Sequence, residues 1–487
     1  MYLSGGYDLG SSSVKFTIVD LETGQVVASA TSPCDGSSMG ISSPHSGWAE
    51  QNPTLWWDNI KKATAMVAQT VDLKEVQSIG LAYQMHGLVS VNEKVQVLRP
   101  AIIWCDSRAT LYGDGIAKKL GAEYCLTNLR NISPGNFTAS KLAWVRDNEP
   151  LIYKQIARFM LPGDYVALRM TGNCYTTRSG LSEMMLCDFE NQQLAVPVLD
   201  GFGIDATLVP SLVPTFGRQG ALRADIASEL GFSTRAEVCY RAGDQPNNAF
   251  SLKVLNPGEV AVTAGTSGVV FAVGEAAQAD QFGRVNTFLH VNDYQGVLMC
   301  INGCGSLFSW LQKYKPYSFM DYEAGKISIG SDGLYMLPYG NGAERTLKNA
   351  NLGATINGLD FNRHGLSHTC RAALESIAFA FKYGMNIMSN DMKMSLNTVR
   401  AGKANMFKSA VFAQIFADVT GCVVEVFNTD GSVGAALAAG VGYGYFSTID
   451  NAFTNLKPVA VYEPIAENSR TYETVYGSWL ELLNKML

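Results

Sequence analysis

Two stretches of the chain share one construction. YDLGSSSVKFTIVD begins at Tyr7 and EVAVTAGTSGVVFAVG begins at Glu259. Each is a β-rich run, a turn of glycine and hydroxyl residues, and a second β-rich run, which reads as a hairpin. One opens each half of a 487-residue chain. A single core rarely grows past about 250–300 residues, so length alone predicts two domains. The paired hairpins predict that the two are duplicates. That inference rests on element order, because no repeat is visible residue by residue.

The order after each hairpin supports it. In the first half LETG turns into QVVASAT, a meander. Asn52 and Pro53 suit the cap and first position of a helix running to about Val71. VQSIGLAYQ is then a buried strand ending in MHG, and AIIWCDSRA is a strand end leading into a helix. In the second half SHTCRAALESIAFAFKYGMNIM reads as a helix, NTVRAG as a strand, FKSAVFAQIFADVTG as a helix and VVEVF as a strand. The boundary is expected at Asp244, giving domains 1–244 and 245–487.

The formal net charge of −6 leaves no basic surplus for phosphates, so no nucleic-acid partner is expected. Ten cysteines without framework spacing read as free thiols. MYLSGGYDLG lacks the pattern of a secretory signal, and the weakly polar run Val433–Phe446 is short for a bilayer. No membrane partner and a cytoplasmic location are therefore expected.

DLGSSSVK holds Asp8, Gly10, Ser11, Ser12 and Lys15. Turns of this kind aim backbone N–H groups and hydroxyls at an anion, and glycine lets a phosphate come close. Asp8 at a strand end could hold Mg²⁺ through water. Lys15 reads equally as a phosphate contact or a solvated strand residue. Taken alone, the stretch is an ordinary serine-rich turn, and it is not a P-loop. Gly265, Thr266, Ser267 and Gly268 form its counterpart, and two such turns could grip one polyphosphate. Asp244 lies in the Gly-, Pro- and Asn-rich stretch AGDQPNN. It reads as a reactive carboxylate in a flexible loop or, equally, as the cap of a helix beginning at Pro246.

From YDLGSSSVKFTIVD to GSVGAALAAG the chain resembles the FGGY carbohydrate kinases of the actin-like, hexokinase-like superfamily. NFTASKLAWVRDN and ATINGLDFNRHGLSHTCRAALE approach the two family signatures, and GLYMLPYGNGAERT resembles a further family stretch. Within the family the likeness is to the xylulokinase branch, through QMHG, IIWCDSR and MLPGDYVALRMTG. The resemblance implies an α/β fold of two duplicated actin-like (ribonuclease H-like) domains with a cleft between them. It implies phosphorylation of a small sugar by ATP with Mg²⁺, D-xylulose above other pentuloses. Asp244 would be the general base. Met85, His86, Trp104, Asp106 and Gln245 would form the sugar pocket, with Trp104 stacking on the sugar and Asp106 accepting its hydroxyls. Adenosine would lie near Gly402 and Asn405. DGSVGAALAAG would be a helix joining the domains.

The sequence departs from the branch at Cys105, at Gln245 and in VRAGKANMF, where one glycine stands for three. Cys105, between two sugar candidates, is expected to be an inert buried thiol on the opposite face of a strand. A kinase for another ketose or polyol, such as ribulose or sedoheptulose, and a non-catalytic sugar-binding regulator remain alternatives. A homodimer is left open.

Overall fold

The computed structural model describes residues 2–133, 135–275, 279–313 and 316–487, with the backbone alone for Glu344. The chain forms two compact units. One comprises Met1–Lys253, Phe288–Asp293 and Asp430–Leu456; the other comprises Val254–Thr287, Tyr294–Thr429 and Lys457–Leu487.

The first unit is built on six strands: β1 (Leu3–Leu9), β2 (Val14–Asp20), β3 (Gln25–Ser32), β4 (Val76–Tyr83), β5 (Phe216–Ala221) and β6 (Glu237–Gly243). Their order in the sheet is β5-β6-β4-β1-β2-β3. β1, β2 and β3 pair antiparallel, β4 and β6 join in parallel, and β5 closes the edge antiparallel. The helix Pro53–Val67 is capped by the Asn52 side chain with Pro53 at its first turn, as the sequence predicts, and buries Trp56, Trp57 and Ile60.

The second sheet, built almost wholly from the second unit, carries β7 (Glu259–Ala264), β8 (Gly268–Gly274), β9 (Asn286–Leu289), β10 (Gln295–Ile301), β11 (Thr398–Gly402), β12 (Val423–Phe427) and β13 (Ala460–Tyr462). Their order is β9-β10-β8-β7-β11-β12-β13. The pattern repeats: an antiparallel meander of β7, β8 and β10, two parallel strands β11 and β12, and an antiparallel edge β13. The duplication read from element order is thus present in the pairing. The helix Leu366–Asn386 is the longest buried element of this unit.

The helix Gly431–Tyr443 comes late in the chain and belongs to the first unit. Small residues on both partners explain its seat on the sheet. A Cβ at Gly6 of β1 would collide with the Ser432 carbonyl, and one at Gly80 of β4 with the Ala435 carbonyl. Only glycine permits so close a backbone approach. No helix among the described residues is long and apolar enough to cross a membrane.

Candidate active site

β6 runs straight into the helix Asp244–Ser251, with Gly243 as its cap. Asp244 is therefore the first residue of a helix. The expected flexible loop is absent here, because the helix begins before Pro246, which its first turn tolerates. Asp244 keeps part of its surface open. Burial of the remainder, then the nearby charge of Asp8, push its carboxyl up to about 7. Gln245 hydrogen-bonds that carboxylate through backbone and side chain, which opposes the rise.

Asp8 lies near the end of β1, before the Gly10–Ser13 turn. The Gly10 N–H donates to the Ser13 carbonyl at 3.0 Å, and the Ser11 carbonyl accepts from Gln51 at 2.6 Å. Burial first, then Asp430, raise Asp8 to about 6, against the pull of Lys15. Asp430 lies beside Asp8, and sequence reasoning did not place it there. Its Oδ1 caps the helix Gly431–Tyr443 through Ser432 N at 2.9 Å, and its Oδ2 meets Lys15 Nζ at 2.6 Å. Burial works against its charge, but the Lys15 and Ser432 bonds hold its carboxyl below the usual range. A Cβ at Gly431 would collide with Asp8 Oδ2, so the helix start lies directly on that carboxylate. The Asp–Gly–Ser cap pattern was a legible signal for a helix start; its neighbourhood to Asp8 was not.

Asp8 and Asp430 offer hard oxygen donors with excess negative charge, which suits Mg²⁺. Among the described residues no group of three or more His, Cys, Asp or Glu could hold a metal by itself.

Met85 is buried and His86 partly so, just after β4. A Cβ at Gly243 would meet Met85 Cγ at 2.6 Å and Glu183 Oε1 at 2.9 Å, so these residues adjoin the start of the Asp244 helix. Trp104 is 38% exposed and able to stack on a ligand. Asp106 is not placed as expected. It is fully buried, its Oδ2 accepts from Ala49 N at 2.6 Å, and Arg108 grips both oxygens at 2.7–3.0 Å. The turn after Ile102 curls Asp106 inward, and its acceptors are spent on the fold. The same turn leaves Cys105 exposed, since the strand Ala101–Ile102 ends before it. The strand alternation that predicted a buried thiol does not extend so far. Each of the ten cysteines is a thiol outside any disulfide.

In the second unit the turn Gly265–Gly268 joins β7 to β8, and the helix Cys304–Gln312 starts on top of it. Gly305 N donates to the Gly265 carbonyl at 3.0 Å and Ser306 N to the Thr266 carbonyl at 3.2 Å. A Cβ at Gly305 would collide with the Gly265 carbonyl. Beside the turn is a cavity of about 380 Å³ lined by Gly265, Thr266, Phe308, Gln312, Tyr317 and Asn405, among others. Asn405 adopts φ +51° and lies 3.1 Å from a Cβ position on Gly265. The structure thus brings Gly265, Thr266 and Asn405 together. Ser267 stays in the turn, and Gly402 ends β11, where a Cβ would lie 3.4 Å from the Thr429 carbonyl. Glycine–hydroxyl turns suit anions, and an aromatic-lined cavity suits a flat base.

The family model for the FGGY family of carbohydrate kinases, N-terminal domain, matches residues 3–251, and that for the C-terminal domain matches residues 260–443. A xylulose kinase of Escherichia coli is 30% identical over 444 residues, 90% of this chain and 88% of that protein. A xylulose kinase of Bacillus subtilis is 28% identical over 481 residues, 97% of this chain and 94% of that protein. The solved structure of xylulose kinase from Rhodospirillum rubrum superposes with a TM-score of 0.87 at 26% identity, covering 99% of each chain.

Proposed function

The chain belongs to the FGGY family of carbohydrate kinases, and on that premise we propose that it transfers the γ-phosphoryl group of ATP to a pentulose, D-xylulose giving D-xylulose 5-phosphate. The names borne by its E. coli and B. subtilis relatives support the sugar. The observation that carries the chemistry is Asp244, a partly buried residue whose carboxyl is raised to about 7 at the start of a helix beside Met85.

Phosphoryl transfer to an alcohol needs a positioned hydroxyl, stabilised phosphate charge and an acceptor for the hydroxyl proton. Asp244 accepts that proton as the new O–P bond forms, and its raised basicity suits the task near neutral pH. Met85, His86, Trp104 and Gln245 hold the sugar. Asp106 supports them indirectly by fixing Arg108. The Gly10–Ser12 turn with Lys15, and the turn of Gly265, Thr266 and Ser267, bind the phosphates. The cavity beside Asn405, with Gly402 behind it, takes the adenosine. Asp8, with Asp430 nearby, would hold Mg²⁺, which supplies charge neutralisation at the phosphates.

A second reading, a kinase for another ketose or polyol, is favoured by the exposed Cys105 and the internally paired Asp106. A coupled ADP-release assay with Mg²⁺-ATP and D-xylulose, L-xylulose, D- and L-ribulose, sedoheptulose and glycerol separates the two. Stimulation chiefly by D-xylulose is expected. A different preferred sugar moves the specificity, and silence with every sugar overturns the kinase reading.

A further inference from the structure

Two buried ionisable side chains outside the steps above converge on one residue. Lys141, in the helix Thr138–Asn148, is fully buried. Its Nζ donates to the His86 carbonyl at 2.7 Å and to the Ile103 carbonyl at 2.9 Å. It therefore ties the Met85–His86 segment to the strand end that leads to Trp104. Glu183, at the end of the helix Arg178–Glu183, is 1% exposed. Its Oε2 accepts from the His86 N–H at 3.3 Å, and its Oε1 accepts from the Tyr83 hydroxyl at 3.0 Å. Its own carbonyl lies 3.1 Å from His86 Nδ1. A carbonyl only accepts, so Nδ1 carries a proton, and in the neutral ring Nε2 is then the acceptor nitrogen.

His86 needs such support. Its φ of +60° is left-handed, a conformation that costs a side-chain-bearing residue energy and persists only when its surroundings enforce it. Burying a lysine and a glutamate is also expensive unless their bonds are satisfied. Here both spend those bonds on the peptide groups on either side of one residue. The ring rests edge-on against Phe137, centroids 4.5 Å apart, and beside Phe288 at 5.0 Å.

We propose that Lys141 and Glu183 are positioning residues that hold the His86 peptide in its left-handed turn and its ring in the Nδ1–H tautomer, so that Nε2 accepts a hydrogen bond from a sugar hydroxyl. The proposal rests on the reading of Met85 and His86 as sugar contacts. It extends the pocket to two residues that touch no ligand.

Steady-state kinetics on the full-length protein test it, varying the best sugar of the panel and ATP in turn for His86→Ala, Lys141→Met, Glu183→Ala and Glu183→Gln. His86→Ala, Lys141→Met and Glu183→Ala are each expected to raise the sugar KM by about tenfold or more while the KM for ATP stays within about twofold. Glu183→Gln keeps an acceptor for the His86 N–H and recovers most of the loss. An unchanged sugar KM in Lys141→Met and Glu183→Ala, beside a raised one in His86→Ala, overturns the positioning role alone. An equal rise in both KM values reduces the pair to general stability and overturns it too. An unchanged sugar KM in His86→Ala removes the sugar-site reading and the proposal together. If Lys141→Met fails to fold, the two Glu183 variants decide.

Discussion

In the first unit the turn after β1 stands among charges, with Asp8 beside Asp430, Asp244 within electrostatic reach and Lys15 paired to Asp430. In the second unit the corresponding turn after β7 faces a helix start and a cavity whose lining, among the described residues, has Lys408 as its one charged side chain. The sheets behind the two turns have matching pairing patterns. The same hairpin thus stands in two different surroundings. On the proposed function, the clustered carboxylates manage a proton and a cation, while backbone amides and a wall with a single lysine hold the nucleotide.

The sharpest break of this contrast is Asp244→Ala. Loss of a general base is expected to lower kcat by about 10²–10⁴-fold, while ATP affinity by calorimetry stays near the parent value. Substantial residual turnover would remove Asp244 from the chemistry. Gly305→Ala probes the opposite side. Its methyl group would push the helix start off the Gly265 carbonyl, and an overpacking cost of about 1–3 kcal/mol should raise the KM for ATP about tenfold with little change for the sugar. If both substrates suffer equally, the division of labour between the units is wrong.

A third effect is on stability. Asp244 stands at about 7 in the folded protein against an ordinary 3.8. The native state therefore binds more protons than the unfolded state across that window, and stability falls as pH rises through it. Asp244→Asn cannot ionise. It should be more heat-stable than the parent at pH 8, by about 4 kcal/mol at most, with the gain shrinking toward pH 5. A gain independent of pH would argue against a charge penalty at this position.

Much of the fold was legible because local pattern carries it. The Asn52–Pro53 helix start, the strand Val76–Tyr83, the helix Leu366–Asn386 and both glycine–hydroxyl turns follow from capping, alternation and turn chemistry. The misreadings came where a local rule met a non-local one. Gly, Pro and Asn after β6 spelled a loop or, equally, a helix from Pro246, yet the helix begins earlier, at Asp244, directly after the strand. Asp106 spelled a ligand, yet Arg108, stacked 3.8 Å over Trp48, claims it. Lys141 stood inside a quoted signature with no sign that its ammonium would reach the His86 carbonyl.

The sequence by itself determined the duplicated α/β architecture, the two turns and the family, because each is written in contiguous residues whose conformational preferences act over a few positions. Only the tertiary structure decided that a helix beginning at Gly431 would return to the first unit and set Asp430 beside Asp8. It likewise decided that Lys141 and Glu183 would meet at His86. Those encounters join residues far apart in the chain. They depend on glycines that let a helix settle on a sheet and on buried charges seeking partners, and neither effect leaves a local mark in the sequence.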